Sequence, residues 1–300
     1  MDSLWLLTTH WRPIEKLLTV SGETSAAAAQ AARMAAILQA AYPNYWPETI
    51  RGLLVHSAEW TPAMLTQCSP LGSRAQKEAL LKFCGFGVPD LARALWSASN
   101  SLTLIVQDAL QPYDRTGTSY TTRDMHLHTI PWPTEVLQDL GETPVKMRVT
   151  LSYFVEPNPR RRGWKYRHRY ASHGLRFKVK TAVETLPQFR ARINAAAREE
   201  EKGQRSRGDE EAWYLREDLR GRGSIHSDWW EGTASDLAER GHIGAYPVIG
   251  WWRERHHLGR WNRSTRYSLV VTINTPQAEV DLYTPVVNQV RVPVPVQLPR

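Results

Sequence analysis

Hydrophobic and polar residues alternate in short segments of the chain, beginning close to residue 100. Alternation with a period of two predicts β-strands, because successive side chains of a strand point to opposite faces of a sheet. The clearest segment is 145–154, whose alternate apolar residues are Val145, Met147, Val149 and Leu151. Similar segments lie at 101–107, 125–130, 175–179 and 267–273. Short strands separated by turns predict a mostly β domain, a jelly roll or sandwich, over residues 99–300.

One part of this region has a different pattern. Residues 187–202 place apolar side chains such as Phe189 and Ile193 at helical spacing, so they predict a helix. The following residues, 203–223, are rich in Gly, Arg, Asp and Glu, and we interpret much of this segment as a mobile loop. We therefore expect a charged helix and loop insertion within the β domain, near residues 187–223.

The first hundred residues predict helices. The Ala-rich run 26–41 predicts a helix of small side chains, and Pro43 follows where that helix would end. Pro47 suits the first position of a second helix, in which Ile50 and Leu53 fall on one face. Small side chains would allow the first helix to pack deep inside a larger body.

A Thr-Ser pair, Thr24 and Ser25, stands at the start of the Ala-rich helix. Unpaired backbone N–H groups and the positive end of the helix dipole lie at such a position, where they stabilise negative charge on a substrate oxygen. Ser25 is therefore a candidate nucleophile. The alternative is an ordinary helix cap, in which the hydroxyl groups only satisfy backbone N–H groups.

The segment Ser-Gly-Glu-Thr-Ser-Ala-Ala at 21–27 resembles the Gly-Thr-Ser-x-Ala motif of the subtilisin-like serine proteases, the subtilase family, although Glu23 stands where that family has Gly. Two further motifs occur in the family's order: Trp-Pro-Glu-Thr-Ile-Arg at 46–51 and Cys-Gly-Phe-Gly-Val-Pro-Asp at 84–90. The resemblance covers about the first hundred residues. The segment 145–154, followed by a Pro-rich turn, is similar to the sandwich domains that follow many bacterial subtilases.

The resemblance implies an α/β fold for residues 1–98, the C-terminal part of a subtilisin-like peptidase domain with helices around a parallel sheet. It implies a serine-type endopeptidase in which Ser25 attacks a peptide carbonyl, with Thr24 beside it and the Ser25 N–H donating to the oxyanion. The substrate would be a peptide or protein, and no cofactor is implied. Similar proteins are cytoplasmic bacterial proteases that are sometimes paired with an AAA-type ATPase.

The base and the acid of a catalytic triad are missing from this pattern. The family's triad runs Asp, His, Ser, with the first two far upstream of the serine, so we reject Asp2 and His10 as members. We interpret residues 4–9 instead as one buried strand that leads to the serine turn. A serine hydroxyl without a general base is a poor nucleophile. We therefore expect the chain to be a fragment, inactive alone, with base and acid supplied by sequence upstream of Met1.

The chain carries a net charge of +8, and residues 157–183 hold nine basic residues and no acidic one. Basic groups with interleaved aromatic rings suit single-stranded nucleic acid or an acidic partner, and a solvated face is the third interpretation. We consider nucleic acid the less favoured partner. The candidate binding residues are Arg160, Arg161, Arg162, Trp164, Lys165, Arg167 and Arg169. The alternative function is therefore a non-catalytic interaction module that uses this basic, Trp-rich half.

Two cysteines, Cys68 and Cys84, are too few for a disulfide framework, and we expect free thiols in a reducing cytoplasm. His126 and His128 share a strand face, but two histidines do not supply the three or four ligands of a zinc site, so we predict no metal. No apolar stretch has the length of a membrane span, and no signal peptide is recognisable.

Overall fold

A computed structural model describes residues 6–95, 101–123, 125–130, 132–159, 170–201, 212–274 and 296–297. The chain divides into two compact units, Met1–Tyr45 and Trp46–Arg300. The predicted domain boundary at residues 98 and 99 differs from this division and stays a prediction.

The described part of the Met1–Tyr45 unit, residues 6–45, consists of a hairpin and a helix. Strands β1 (Leu6–Thr9) and β2 (Leu18–Ser21) pair antiparallel, and helix α1 (Glu23–Ala41) follows. The prediction of one buried strand was wrong, because β1 is mostly exposed and a second strand leads into the helix. The parallel sheet implied by the resemblance is not formed by the described residues, whose strand pairings are all antiparallel.

The Ala-rich helix α1 is more exposed than we predicted. Of its 19 residues, only Ala26 and Leu38 are buried. Most of its small side chains face solvent in the described structure, although they would allow close packing on every side.

The Trp46–Arg300 unit begins with four helices: α2 (Pro47–Ser57), α3 (Pro62–Gln67), α4 (Arg74–Cys84) and α5 (Leu91–Leu95). Helix α2 confirms the predicted second helix, with Pro47 in its first turn and Ile50 and Leu53 buried. The turn after α4 requires glycine at Gly87, whose φ is +97° and where a Cβ atom would lie 2.2 Å from the carbonyl oxygen of Glu59.

In the described residues, ten strands follow these helices: β3 (Ser101–Leu110), β4 (Tyr113–Thr116), β5 (Ser119–Thr122), β6 (His126–Thr129), β7 (Pro144–Tyr153), β8 (Gly174–Val179), β9 (Ile225–Thr233), β10 (His242–Val248), β11 (Thr265–Asn274) and β12 (Val296–Gln297). Five short or medium helices lie between them: α6 (Thr134–Asp139), α7 (Leu186–Glu201), α8 (Arg216–Arg220), α9 (Ala234–Ala238) and α10 (Trp251–Glu254). All five segments with an alternating pattern form strands, as predicted.

The strands build two four-stranded antiparallel sheets. Sheet A has the order β3-β11-β7-β9 and sheet B the order β12-β6-β10-β8, while β4 and β5 form a separate hairpin. Apolar side chains from both sheets share one core, which contains Val145, Met147, Val149 and Leu151 of the predicted face. The fold is therefore mixed α and β with several antiparallel sheets, and the jelly-roll topology stays a prediction.

Helix α7 confirms the predicted helical insertion. Phe189 and Ile193 are fully buried against Leu127 and Tyr246 of sheet B. The prediction of a loop over much of 203–223 was wrong at Arg216–Arg220, which form α8 with buried side chains. Residues 203–211 of that segment lie outside the described residues.

Helix α2 covers the other face of sheet A through polar contacts. The guanidinium group of Arg148, on β7, donates to the carbonyl oxygens of Val55 at 3.1 Å and Ala58 at 2.7 Å. These carbonyls belong to the C-terminal end of α2, which carries partial negative charge, and the Val55 carbonyl also accepts from the Ala58 N–H. A partly buried cation therefore holds the end of α2 on the sheet.

Arg51 of α2 makes the reciprocal contact with the sheet. Its guanidinium group donates to the carbonyl oxygens of Tyr153 and Ser224, at 2.5 and 2.7 Å, and to the Ser152 hydroxyl. Burial lowers the pKa of Arg51, and it lowers that of Arg148 to about 10. The interface thus holds two partly buried cations whose hydrogen bonds are mostly to backbone oxygens.

We expect Arg148→Met to lower the free energy of unfolding by about 2–4 kcal/mol, because three charge-assisted hydrogen bonds are lost, two of them to carbonyl oxygens at the end of α2. Urea denaturation measures this change. Arg263→Met is the matched control, since Arg263 is exposed, and it should change stability by less than about 0.5 kcal/mol. Equal effects of the two substitutions would show that the Arg148 contacts contribute little.

Candidate functional site

Ser25 and Thr24 lie in the first turn of α1, and both are exposed. The residue that caps this helix, Gly22, has no side chain, so no cap side chain accepts from the first backbone N–H groups. Within the described part of the Met1–Tyr45 unit, the Ser25 hydroxyl has no hydrogen-bond partner. The predicted nucleophile is thus presented at an open helix N-terminus.

The backbone of Glu23 has an unusual conformation for a residue with a side chain. Its φ is +61°, in the left-handed region that favours glycine. Glu23 is the position at which the motif resemblance expects Gly. The turn before Ser25 therefore has a glycine-like backbone conformation while carrying a glutamate.

We expect Glu23→Gly to stabilise the start of α1, because a Cβ atom at positive φ costs about 1–2 kcal/mol while glycine adds about 0.5–1 kcal/mol of unfolded-state entropy. Amide hydrogen exchange in the first two turns of α1 should become slower.

Glu23→Ala is the control, since it removes the carboxylate but keeps the Cβ atom. Slower exchange in both variants would assign the effect to the charge and contradict the conformational explanation.

The histidines nearest in sequence to Ser25 do not supply a base. His10 is partly buried, and its Nδ1 accepts from the backbone N–H of Arg12 at 3.1 Å. His56, on α2, has both ring nitrogens bonded to hydroxyl groups, of Thr150 at 2.8 Å and of Thr272. Burial and the neighbouring Arg148 hold the pKa of His56 well below its ordinary value. His56 therefore connects α2 to sheet A, and Asp2 lies outside the described residues.

Two more histidines are buried in their neutral form. Burial lowers the pKa of His173 to about 3 and that of His226 well below its ordinary value. His173 donates to or accepts from the Ser172 hydroxyl at 2.9 Å, and its ring lies 4.9 Å from that of Trp252. These rings are part of the core.

These buried histidines predict loss of stability in acid. The pKa is lowered on folding, so the unfolded chain binds more protons below about pH 6.5, and stability falls as the pH falls. Each such histidine contributes a slope of about 1.4 kcal/mol per pH unit between that value and its folded pKa.

We expect His173→Phe, which keeps an aromatic ring against Trp252, to reduce this slope by about 1.4 kcal/mol per pH unit below pH 6. Denaturant midpoints measured between pH 7 and pH 5 give the slope. His257→Gln is the control, because His257 is exposed. An unchanged slope in His173→Phe would show that this ring titrates normally in the folded protein.

The predicted binding patch lies outside the described residues: Arg160, Arg161, Arg162, Trp164, Lys165, Arg167 and Arg169. Several tryptophans of the second half are structural instead, since Trp132, Trp213, Trp230, Trp251 and Trp252 are buried. Much of the high tryptophan content therefore builds the core.

A cluster that we did not predict lies between the two sheets. Asp108 of β3 and Tyr267 of β11 come from sheet A, and His126 and His128 come from β6 of sheet B. His126 Nδ1 lies 2.8 Å from Asp108 Oδ2 and 2.9 Å from the Tyr267 hydroxyl, which lies 2.7 Å from His128 Nε2. The sequence showed the two histidines on one strand face, but not the carboxylate that the second sheet brings to them.

The electrostatics of this cluster follow from its burial. Burial lowers the pKa of His128 to about 4, although Asp108 opposes the change. Burial and the Asp108 carboxylate raise the pKa of Tyr267 well above its ordinary value. The pKa of Asp108 is raised by burial, but hydrogen bonding with His126 lowers it overall. An ionised carboxylate therefore faces a neutral phenol and a neutral imidazole.

Cys68 and Cys84 are free thiols, as predicted. Burial, followed by the neighbouring Cys68, raises the pKa of the Cys84 thiol. Among the described residues, no helix combines the length and the apolar character needed to cross a membrane.

Comparison with known proteins supports the resemblance in part of the chain. Residues 2–87 match the model of the subtilase family. The chain is also 32% identical, over 187 residues, to the uncharacterized protein y4bN of Sinorhizobium fredii (strain NBRC 101917 / NGR234). That match covers 62% of this chain and 38% of the relative. These findings support a relationship to the subtilase family of proteases.

Proposed function

We propose that this chain is the C-terminal part of a subtilase-type serine endopeptidase and that Ser25 is its nucleophile. The observation that carries the proposal is the turn before Ser25. It combines a family match, an exposed serine in the first turn of α1 and a glycine-like conformation at Glu23. Thr24 stands beside the nucleophile, and the Ser25 N–H donates to the developing oxyanion.

The Met1–Tyr45 unit exposes an extensive apolar surface, which supports a covering segment from the same protease. The large exposed hydrophobic side chains there are Leu7, Trp11, Ile14, Leu17, Leu18 and Val20. Isolated apolar side chains are common on surfaces, but a concentration of this kind marks a surface that another segment covers. In the proposed enzyme, upstream sequence covers the hairpin and supplies the His base and the Asp.

The matched relative is long enough to contain the additional segments that this proposal requires. The aligned region spans 38% of that protein, which leaves most of its length for other segments. Peptides or proteins are the proposed substrates, with an AAA-type ATPase as a proposed partner in the cytoplasm. The described core histidines do not provide a base, so this chain alone is expected to be inactive.

The proposal is tested in the native protein, isolated from its source with an antibody to the C-terminal half. We expect an intact mass well above 34.3 kDa and labelling by a fluorophosphonate probe. Ser25→Ala should abolish labelling and reduce peptidase activity by roughly a thousandfold or more, because the nucleophile is lost.

Ser264→Ala is the matched control, since Ser264 is an exposed serine outside the Met1–Tyr45 unit, and it should retain labelling. Labelling at a residue other than Ser25 would contradict the proposed nucleophile. A native species of 34.3 kDa without labelling would contradict the protease and favour the interaction module.

A further inference from the structure

The cluster between the two sheets has no part in the proposed peptidase chemistry. It gathers imidazole nitrogens and a carboxylate oxygen from strands of two different sheets, in a partly buried position. We propose that Asp108, His126 and His128 bind a divalent transition-metal ion of the Zn²⁺ class. His126 ligates through Nδ1, His128 through Nε2 and Asp108 through Oδ2.

The geometry of the three donor atoms suits one ion. All three lie within 4.8 Å of one another, and His126 Nδ1 is 2.8 Å from Asp108 Oδ2. Zinc bonds of about 2.0–2.1 Å in tetrahedral geometry separate ligand atoms by about 3.4 Å. The donor atoms therefore reach ligating positions by side-chain shifts on the order of 1 Å.

Both imidazole rings direct one nitrogen toward the Tyr267 hydroxyl. It lies 2.9 Å from His126 Nδ1, 2.7 Å from His128 Nε2 and 3.5 Å from Asp108 Oδ2. His126 Nδ1 donates to the Asp108 carboxylate, so the single proton of the Tyr267 hydroxyl is donated to either His128 Nε2 or Asp108 Oδ2, one at a time. In the proposed site, the metal ion would hold the two imidazoles and the carboxylate together in place of the single Tyr267 hydrogen bond.

The donor set indicates the class of metal. Two imidazole nitrogens and one carboxylate oxygen suit zinc, cobalt, nickel and related ions better than calcium or magnesium, which prefer oxygen ligands. Asp108 remains 28% exposed, whereas His126 is buried, so solvent and ions reach the cluster from the Asp108 side. Three protein ligands also leave a fourth position for water.

Metal binding here would connect the sheets. Asp108 belongs to sheet A and the histidines to sheet B, so the ion adds a link that the unfolded chain lacks. A ligand that binds the folded state raises the apparent stability in proportion to the logarithm of its concentration. The melting temperature should therefore rise with the concentration of added metal.

The test uses the full chain without an affinity tag, stripped by chelation and titrated with Zn²⁺ alone. We expect one saturable site by equilibrium dialysis and a rise in melting temperature. Co²⁺ should give visible absorption bands with the intensity of a four- or five-coordinate nitrogen and oxygen site. Asp108→Asn and His128→Gln, which preserve size and polarity, should each weaken Zn²⁺ affinity at least tenfold.

The matched control is the double variant His256→Gln/His257→Gln, which removes an exposed neighbouring pair and should bind Zn²⁺ normally. Denaturation of each variant without metal establishes that the fold is retained. If no saturable site is found, or if the control variant loses binding while Asp108→Asn and His128→Gln keep it, the proposal is wrong and the cluster is a hydrogen-bonded network.

Discussion

The structure depends on a buried polar interface between helix α2 and sheet A. One face of that sheet is apolar and shares a core with sheet B, whereas the other presents Arg148, Thr150 and Ser152 to the helix. Burying an unpaired cation or hydroxyl is costly, so this face is stabilised when α2 adds partners to the contacts that Ser227 of β9 already makes with Arg148 and Thr150. Arg51 and His56 meet that requirement, and the interface accepts few alternative arrangements.

This interface changes the interpretation of the protease-like motifs. Residues 2–87 match the subtilase family, but the division between the compact units falls inside that range, between Tyr45 and Trp46. Helix α2 carries the second motif. Its Arg51 donates hydrogen bonds to the backbone oxygens of Tyr153, on β7, and Ser224, which directly precedes β9. A motif that resembles part of a catalytic domain thus also serves to bury the polar face of a β-sheet.

The sequence predicted the features that depend on local periodicity. The five alternating segments are strands, and the helix with Phe189 and Ile193 on its buried face is present. Strand β9 was missed because its run of polar residues and paired tryptophans hides the alternation. The pairing of the strands could not be predicted either, because the order of strands in a sheet depends on contacts between residues far apart in the chain.

For the candidate sites too, the sequence revealed the residues that lie close together along the chain, but not those that only the fold brings together. Ser25 could be recognised because its motif is contiguous, and the mismatch at Glu23 was visible, but its left-handed backbone conformation was not. His126 and His128 were recognised as a pair on one strand face. Asp108 could not be assigned to them, because it belongs to a different sheet and is adjacent only in the folded chain.

Strand register links these observations. On β11, Tyr267 pairs with Asp108 of β3 and with Tyr153 of β7, while Thr272 pairs with Arg148. A shift of one residue would turn each side chain to the opposite face of the sheet. The same shift would remove Thr272 from His56 and Tyr267 from the histidines, leaving buried polar groups without partners on both faces. The polar contacts therefore select one register, which an apolar core alone would specify less strictly.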